Sequence, residues 1–173
     1  MRILHIDTGA ELRGGQRQAL LLMQGLRAAG HESVLLCLAD SPLCDAARVA
    51  EFAVYSAGLL SIRAHSGRVE MVHAHDAHAH SLAALAVRNP FVVSRRVAFP
   101  VGRSLASRWK YQRPARFLAV SQFVAGQLRN AGVAPQKIDV VFDGVEAAST
   151  AAKRAGLASL CMSPLPWMAR SAI

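Results

Sequence analysis

Four histidines and one aspartate fall within eight residues of the stretch MVHAHDAHAHSLAALAV, at 71–87. They are His73, His75, Asp76, His78 and His80. Imidazole and carboxylate at this density suit two kinds of chemistry. H-x-H along a strand, completed by a nearby Asp or His, can converge on a metal ion. Alternatively, imidazole can donate to the hydroxyls of a polyhydroxylated ligand while carboxylate accepts from them. The metal reading lacks companions, since no H-E-x-x-H, cysteine partner or second carboxylate cluster accompanies the run. The expectation is therefore no bound metal. Strand periodicity places His73 and His75 on one side of a strand, with Val72 and Ala74 on the other. His75 and Asp76, at the strand's carboxyl end, are the candidates for a cleft. His73 is expected in the core, and His78 and His80 on the surface where the next helix starts.

Two other stretches carry candidate chemistry. In TGAELRGGQRQ, Gly14 and Gly15 precede a helix, where unpaired N–H groups can receive an anion and glycine permits close approach or unusual dihedrals. A simple turn is the competing explanation, because neither G-x-G-x-x-G nor G-x-x-x-x-G-K-[ST] is present. In FVVSRR, Arg95 and Arg96 follow a strand, and a guanidinium there can clamp a phosphate or a hydroxylated ligand. A solvated arginine pair is the alternative. Further on, GRSLASRWKYQR interleaves Arg103, Arg108 and Lys110 with Trp109 and Tyr111. That mixture fits an anionic membrane surface or a plain basic face. Contact with RNA is not expected, because no RNA-binding module accompanies it.

The elements that must position these groups alternate along the chain. RILHID, HESVLLCLAD, FAVY, VEMVHAH, FVVSRR, RFLAVS and KIDVVFDGV read as seven strands. Helical patterns separate them: QRQALLLMQGLRAAG ending at Gly30, PLCDAARVA, HSLAALAVRN, part of VGRSLASRWKYQR, and SQFVAGQLRNAG with Ser121 as its N-cap and Gly132 as its stop. Continuous apolar strands separated by helices predict a doubly wound, Rossmann-like parallel sheet covered on both faces. The loops after strands one, four and five then leave from the carboxyl edge, near where strand order reverses. Gly14, Gly15, His75, Asp76 and Arg96 are expected to meet there. Residues 151–160 read as a possible helix within a peripheral tail.

Composition fits a single domain. Of 173 residues 53% are hydrophobic and 18% charged, which excludes a disordered chain. The net charge of +9 comes wholly from residues 95–173, with twelve basic side chains against three acidic ones; residues 1–94 balance at eight each. One half is thus suited to phosphates or acidic headgroups. Cys37, Cys44 and Cys161 form no C-x-x-C pair, and Cys37 in VLLCLA reads as a small buried hydrophobe. With no spanning run or leader sequence evident, the expected compartment is the cytoplasm, with the inner membrane face as a peripheral site.

The opening MRILHIDTGAELRGGQRQALLLMQGLRAAGHE resembles that of glycosyltransferase family 4, the retaining, nucleotide-sugar-dependent enzymes of GT-B architecture. The likeness continues in order through VHAHDAHAHSLAALA, PFVVSRRVAF, ARFLAVSQFVAGQL and KIDVVFDGVE, over roughly residues 1–146. The last segment resembles V-I-x-N-G-V-D, with Asp143 where Asn is usual. This resemblance implies two Rossmann-like domains, the first binding the acceptor and the second the nucleotide-sugar. Only 27 residues follow Glu146, and none matches the family's diphosphate-binding basic residue or E-x7-E motif. One acceptor-side domain at 1–146 and a tail at 147–173 are therefore expected, with no tightly bound cofactor and little transfer by this chain alone. The implied partners are a sugar or lipid-linked sugar acceptor and a separate donor-binding domain, in cell-envelope glycan synthesis. In many members a T-x-H pattern follows the next strand, and matching it places Ser94 on the Thr and Arg96 on the His. Arginine stays protonated and cannot serve as a base, but it is compatible with front-face transfer in which the leaving diphosphate deprotonates the acceptor. A non-catalytic glycan- or anion-binding domain is the alternative.

Overall fold

The structure is a computed structural model that describes residues 1–144 apart from Pro100 and Arg103. The proposed helix at 151–160, the tail at 147–173 and Arg103 lie outside the described residues.

All seven apolar runs form strands: β1 (Arg2–Ile6), β2 (Glu32–Cys37), β3 (Ala53–Ser56), β4 (Met71–Ala74), β5 (Phe91–Arg95), β6 (Arg116–Ala119) and β7 (Ile138–Val140). They make one parallel sheet in the order β3-β2-β1-β4-β5-β6-β7, so the order reverses between β1 and β4. The helices are α1 (Gly14–Ala28), α2 (Pro42–Val49), α3 (Leu59–Ser66), α4 (Ala77–Ala86), α5 (Leu105–Gln112) and α6 (Gln122–Asn130). This is the doubly wound Rossmann-like layout expected from the alternation. The compact unit spans Met1–Asp143.

Helices cover both faces of the inner strands, whose side chains are mostly apolar, with His5, His73 and Ser94 among the buried polar exceptions. Leu4, Ile6, Val34, Leu36, Val72 and Ala74 belong to one core, packed with Ile62 of α3, Ala83 of α4 and Leu128 of α6. The alternate residues Leu35 and Cys37 turn to the other face and pack against Met23 of α1 and Leu43, Cys44 and Ala47 of α2. Burying each large aliphatic or aromatic side chain contributes about 1.5–3 kcal/mol. Cys37 is the buried hydrophobe its context indicates, and burial pushes its thiol up to about 12.

Capping fixes the helix ends. Ser121 caps α6 through Val124 N at 3.2 Å, as its sequence predicts. Gly30 and Gly132 adopt φ of +80° and +84° just beyond α1 and α6, a region glycine enters without a Cβ penalty. Three differences from the sequence reading matter. Helix α3 was not anticipated. Helices α1 and α4 begin earlier than expected, at Gly14 and Ala77. The last strand covers only Ile138–Val140 of its predicted run. None of the described helices is long and apolar enough to cross a membrane.

Candidate functional site

The loops leaving β1, β4 and β5 meet around a cavity of about 340 Å3. Gly15 and Gln16 of α1, His75 and Asp76 after β4, and Arg95 and Arg96 at the end of β5 all line it. The convergence predicted from strand order is thus present, with Gly14 outside the lining.

The glycine loop works differently from its sequence reading. Gly14 and Gly15 have no positive φ, and a Cβ on Gly14 would meet nothing within 4 Å. Close approach occurs instead at Gly9, where a Cβ would collide with the Gln16 side chain and lie 3.1 Å from Asp7 Oδ1. Gln16 donates to Asp7 at 3.0 Å and accepts from Arg13 N at 3.3 Å, locking the turn onto the start of α1. Asp7, also bonded by Gly9 N, is buried, and desolvation raises its carboxyl above the usual range. The first-turn N–H groups of α1 have no intrahelical acceptor. The first intrahelical bond is Arg17 N to Arg13 O. The half-buried backbone of Gly15 thus forms one wall of the cavity.

Asp76 does not offer a free carboxylate. It caps α4, accepting from His78 N and Ala79 N at 2.8 and 2.9 Å, and it also binds the backbone and hydroxyl of Thr8. Its oxygens therefore tie β1 to β4, which corrects the expectation that they receive ligand hydroxyls. His75 is buried at the cavity edge, its Nε2 lying 3.0 Å from Nδ1 of His5. Among the described residues its Nδ1 has no partner. His73 is a buried core histidine as expected, bonded through Nε2 to Ser94 Oγ at 2.8 Å. Burial, reinforced by neighbouring histidines and Arg96, holds His73 and His75 well below the ordinary imidazole range. Both are neutral.

His80 corrects a second expectation. Because Asp76 starts the helix, His80 lies one turn inside it and faces the core. It packs edge-on to Tyr111 and Phe117, and its Nε2 reaches Lys110 O at 3.1 Å. Burial pushes it down to about 3.

The arginine pair is anchored, not free in solvent. Arg95 is buried and donates to Tyr111 Oη and Phe99 O, both at 2.6 Å. Arg96 donates from Nε to Asp143 Oδ1 at 3.0 Å. Arg95 Nε and Arg96 Nη1 are buried without a partner among the described residues. Both residues line the cavity, and each therefore keeps one buried cationic donor unused, an expensive state unless something accepts from it.

The basic-aromatic segment divides. Lys110 turns inward, its Nζ 2.8 Å from Ala77 O and 2.7 Å from Ser81 Oγ, so it is not part of an exposed basic surface. Arg108 and Trp109 do face outward, beside Leu105, which is 82% exposed. Arg108 also borders a larger hollow of about 560 Å3 between α5 and the end of α6. Among the described residues that hollow gathers amide side chains but no cluster of titratable groups.

Asp7 and Gln16 were not read from the sequence as parts of this region, nor was His5, which register alone places opposite His73. His80 and Tyr111 were placed on the surface and in the basic-aromatic segment instead. Of Asp7, Gln16 and His5, only Asp7 left a signal, as an acid ending an apolar run two residues before a Gly.

A seven-stranded Rossmann-like sheet with its cavity at the β1/β4 reversal matches one domain of GT-B glycosyltransferases. The sequence model of Glycosyltransferase Family 4 matches residues 12–149, and the chain belongs to that family. A search of the curated proteins finds no match. Among solved structures, Anabaena Alr3699/HepE in complex with UDP superposes with a TM-score of 0.73 at 14% identity, covering 91% of this chain and 50% of that one. The lipopolysaccharide outer core galactosyltransferase WaaB gives 0.59 at 17%, covering 86% and 47%. Acinetobacter baumannii MurG gives 0.63 at 12%, covering 86% and 46%. The chain spans about half the length of these structures.

Proposed function

We propose that this domain binds the acceptor in a retaining, nucleotide-sugar-dependent glycosyl transfer, and that the acceptor carries phosphate near its reacting sugar. The supporting observation is that Arg95 and Arg96 both line one cavity, each with a buried guanidinium nitrogen, Nε and Nη1 respectively, that has no partner among the described residues. A phosphoryl oxygen satisfies such donors, and the α1 N-terminus favours the same charge. Neutral His75 orients a hydroxyl, while the one carboxylate among the described lining residues, Asp76, is already engaged by His78 N, Ala79 N and Thr8. Deprotonation of the acceptor then falls to the leaving diphosphate, held by a donor-binding domain outside these residues. The likeness to half of a two-domain enzyme supports that division.

A lipid-linked acceptor at the inner face of a membrane fits this reading, because α5 and the preceding loop expose Leu105, Trp109, Arg108 and Phe99 together. Cell-envelope glycan synthesis is the corresponding setting.

Calorimetric titration of the chain with hexose phosphates and with the matching neutral hexoses tests the reading. The phosphates should bind at least about tenfold more tightly, and Arg96→Gln should remove the difference, since a charge-assisted hydrogen bond contributes roughly 1.5–3 kcal/mol. Equal affinity for charged and neutral sugars would overturn the phosphate assignment. Phosphate binding without transfer after a donor-binding half is supplied would favour a non-catalytic glycan- or anion-binding domain.

A further inference from the structure

His5, His73 and His75 come together although 68 residues separate the first two. Parallel pairing of β1 with β4 makes His5 and His73 Cα partners, and His75 follows two residues later on the same side. One ring nitrogen from each lies within 4.8 Å of the other two, and all three side chains are buried. We propose that these three histidines form a binding site for one divalent transition metal ion of the zinc class, at the edge of the cavity.

Their remote ring nitrogens support this. His5 Nε2 lies 3.3 Å from Ser33 Oγ, and His73 Nε2 lies 2.8 Å from Ser94 Oγ. A hydroxyl accepting from the far nitrogen fixes the tautomer and turns the near lone pair inward, as outer partners of metal-bound histidines do. His5 Nδ1 and His75 Nε2 face each other at 3.0 Å. Without an ion they must share one proton; with an ion both lone pairs are used. His75 Nδ1, which has no partner among the described residues, then carries the proton and stands as a donor at the cavity edge. Three neutral imidazoles with no carboxylate or thiolate select zinc, cobalt, nickel or copper over magnesium or calcium. Arg96 opposes the added charge, and its pairing with Asp143 offsets part of that repulsion. The expectation of a metal-free site rested on the absence of H-E-x-x-H, a cysteine partner or a second carboxylate cluster beside the run, and His5 joins from a distant strand instead.

The site does not depend on the acceptor reading, and metal alone tests it. The 173-residue chain is dialysed against zinc and then metal-free buffer, and its metal content is measured. One equivalent should remain. His5→Gln and His73→Gln should each weaken retention by at least about tenfold. A variant lacking the partly or fully exposed His31, His65 and His78 should retain it. Because the core variants can fail to fold, imidazole 1H–15N spectra of the unmodified chain provide a second readout. Zinc should shift the ring signals of His5, His73 and His75 and leave His80 in place. Less than stoichiometric metal, retention unchanged in folded His5→Gln, or shifts confined to the exposed histidines would each overturn the proposal. Hexose phosphate binding that survives metal loss would leave the acceptor reading standing.

Discussion

Arg96 donates from Nε to a carboxylate oxygen of Asp143 at 3.0 Å, joining the loop after β5 to the segment after β7. The pair is only partly exposed, with Arg96 at 17% and Asp143 at 35% of side-chain area. Asp143 thereby aims the guanidinium while cancelling part of its charge. The resemblance to V-I-x-N-G-V-D places Asn at this position, where this chain carries a charged anchor.

Replacing Asp143 by Asn should keep the anchor and release the charge. Hexose phosphate affinity should rise by up to about fivefold, the scale of a partly exposed ion pair, as read by calorimetry. Asp143→Ala should lose both, with affinity falling because Arg96 is no longer held. Identical affinities for the two variants would show that Asp143 does not position Arg96.

The glycine loop gives a sharp contrast. Gly9→Ala should destabilise the fold by about 1–3 kcal/mol, because its Cβ meets Gln16 and Asp7 in a packed turn. Gly14→Ala faces open space within a helix and should be neutral or stabilising by up to about 1 kcal/mol. Urea unfolding of the two variants decides this, and the reverse ranking would contradict the close approach at Gly9.

Burial of His80 gives stability a pH dependence. Its imidazole falls from 6.5 to about 3 in the folded protein, mainly through desolvation, with Lys110 and Arg95 adding to it. Between those values the unfolded chain binds a proton that the native chain refuses, so stability falls as pH falls. The slope from this residue approaches about 1.4 kcal/mol per pH unit. His80→Gln should show a shallower dependence between pH 6 and 4 in urea melts, whatever its absolute stability; an unchanged slope would count against the buried neutral ring.

Much of the fold was legible because the strands are continuous apolar runs and helices cover both faces. Helix α3 was not, since LLSIRAHS carries apolar residues at three of its first four positions and buries only Ile62 among them, leaving Leu60 87% exposed. Its helical period is too weak to stand out. At the site, His75 and Arg96 could be read from strand-end positions, whereas His5 could not, because parallel register carries no local signature. The role of Asp76 was misread for a related reason. A strand-end acid suits a ligand as well as a helix cap, and only the start of α4 at Ala77 decides between them.

Membrane contact has its own test. Leu105→Ser with Trp109→Ser should reduce flotation with phosphatidylglycerol vesicles by about tenfold, given the apolar area removed. Lys110→Ala should leave flotation unchanged, because its ammonium is spent on α4. Equal loss in both would mean that a diffuse basic field, not the apolar edge of α5, holds the lipid.

The acceptor-side reading is tested most directly by backbone amide NMR of the chain, titrated separately with a hexose phosphate and with UDP-glucose. The account predicts that the hexose phosphate shifts Gly15, Gln16, His75 and Arg96 at concentrations where UDP-glucose shifts none of them. Saturable UDP-glucose shifts at those four residues, with none from the hexose phosphate, would place the donor where this account places the acceptor and contradict it.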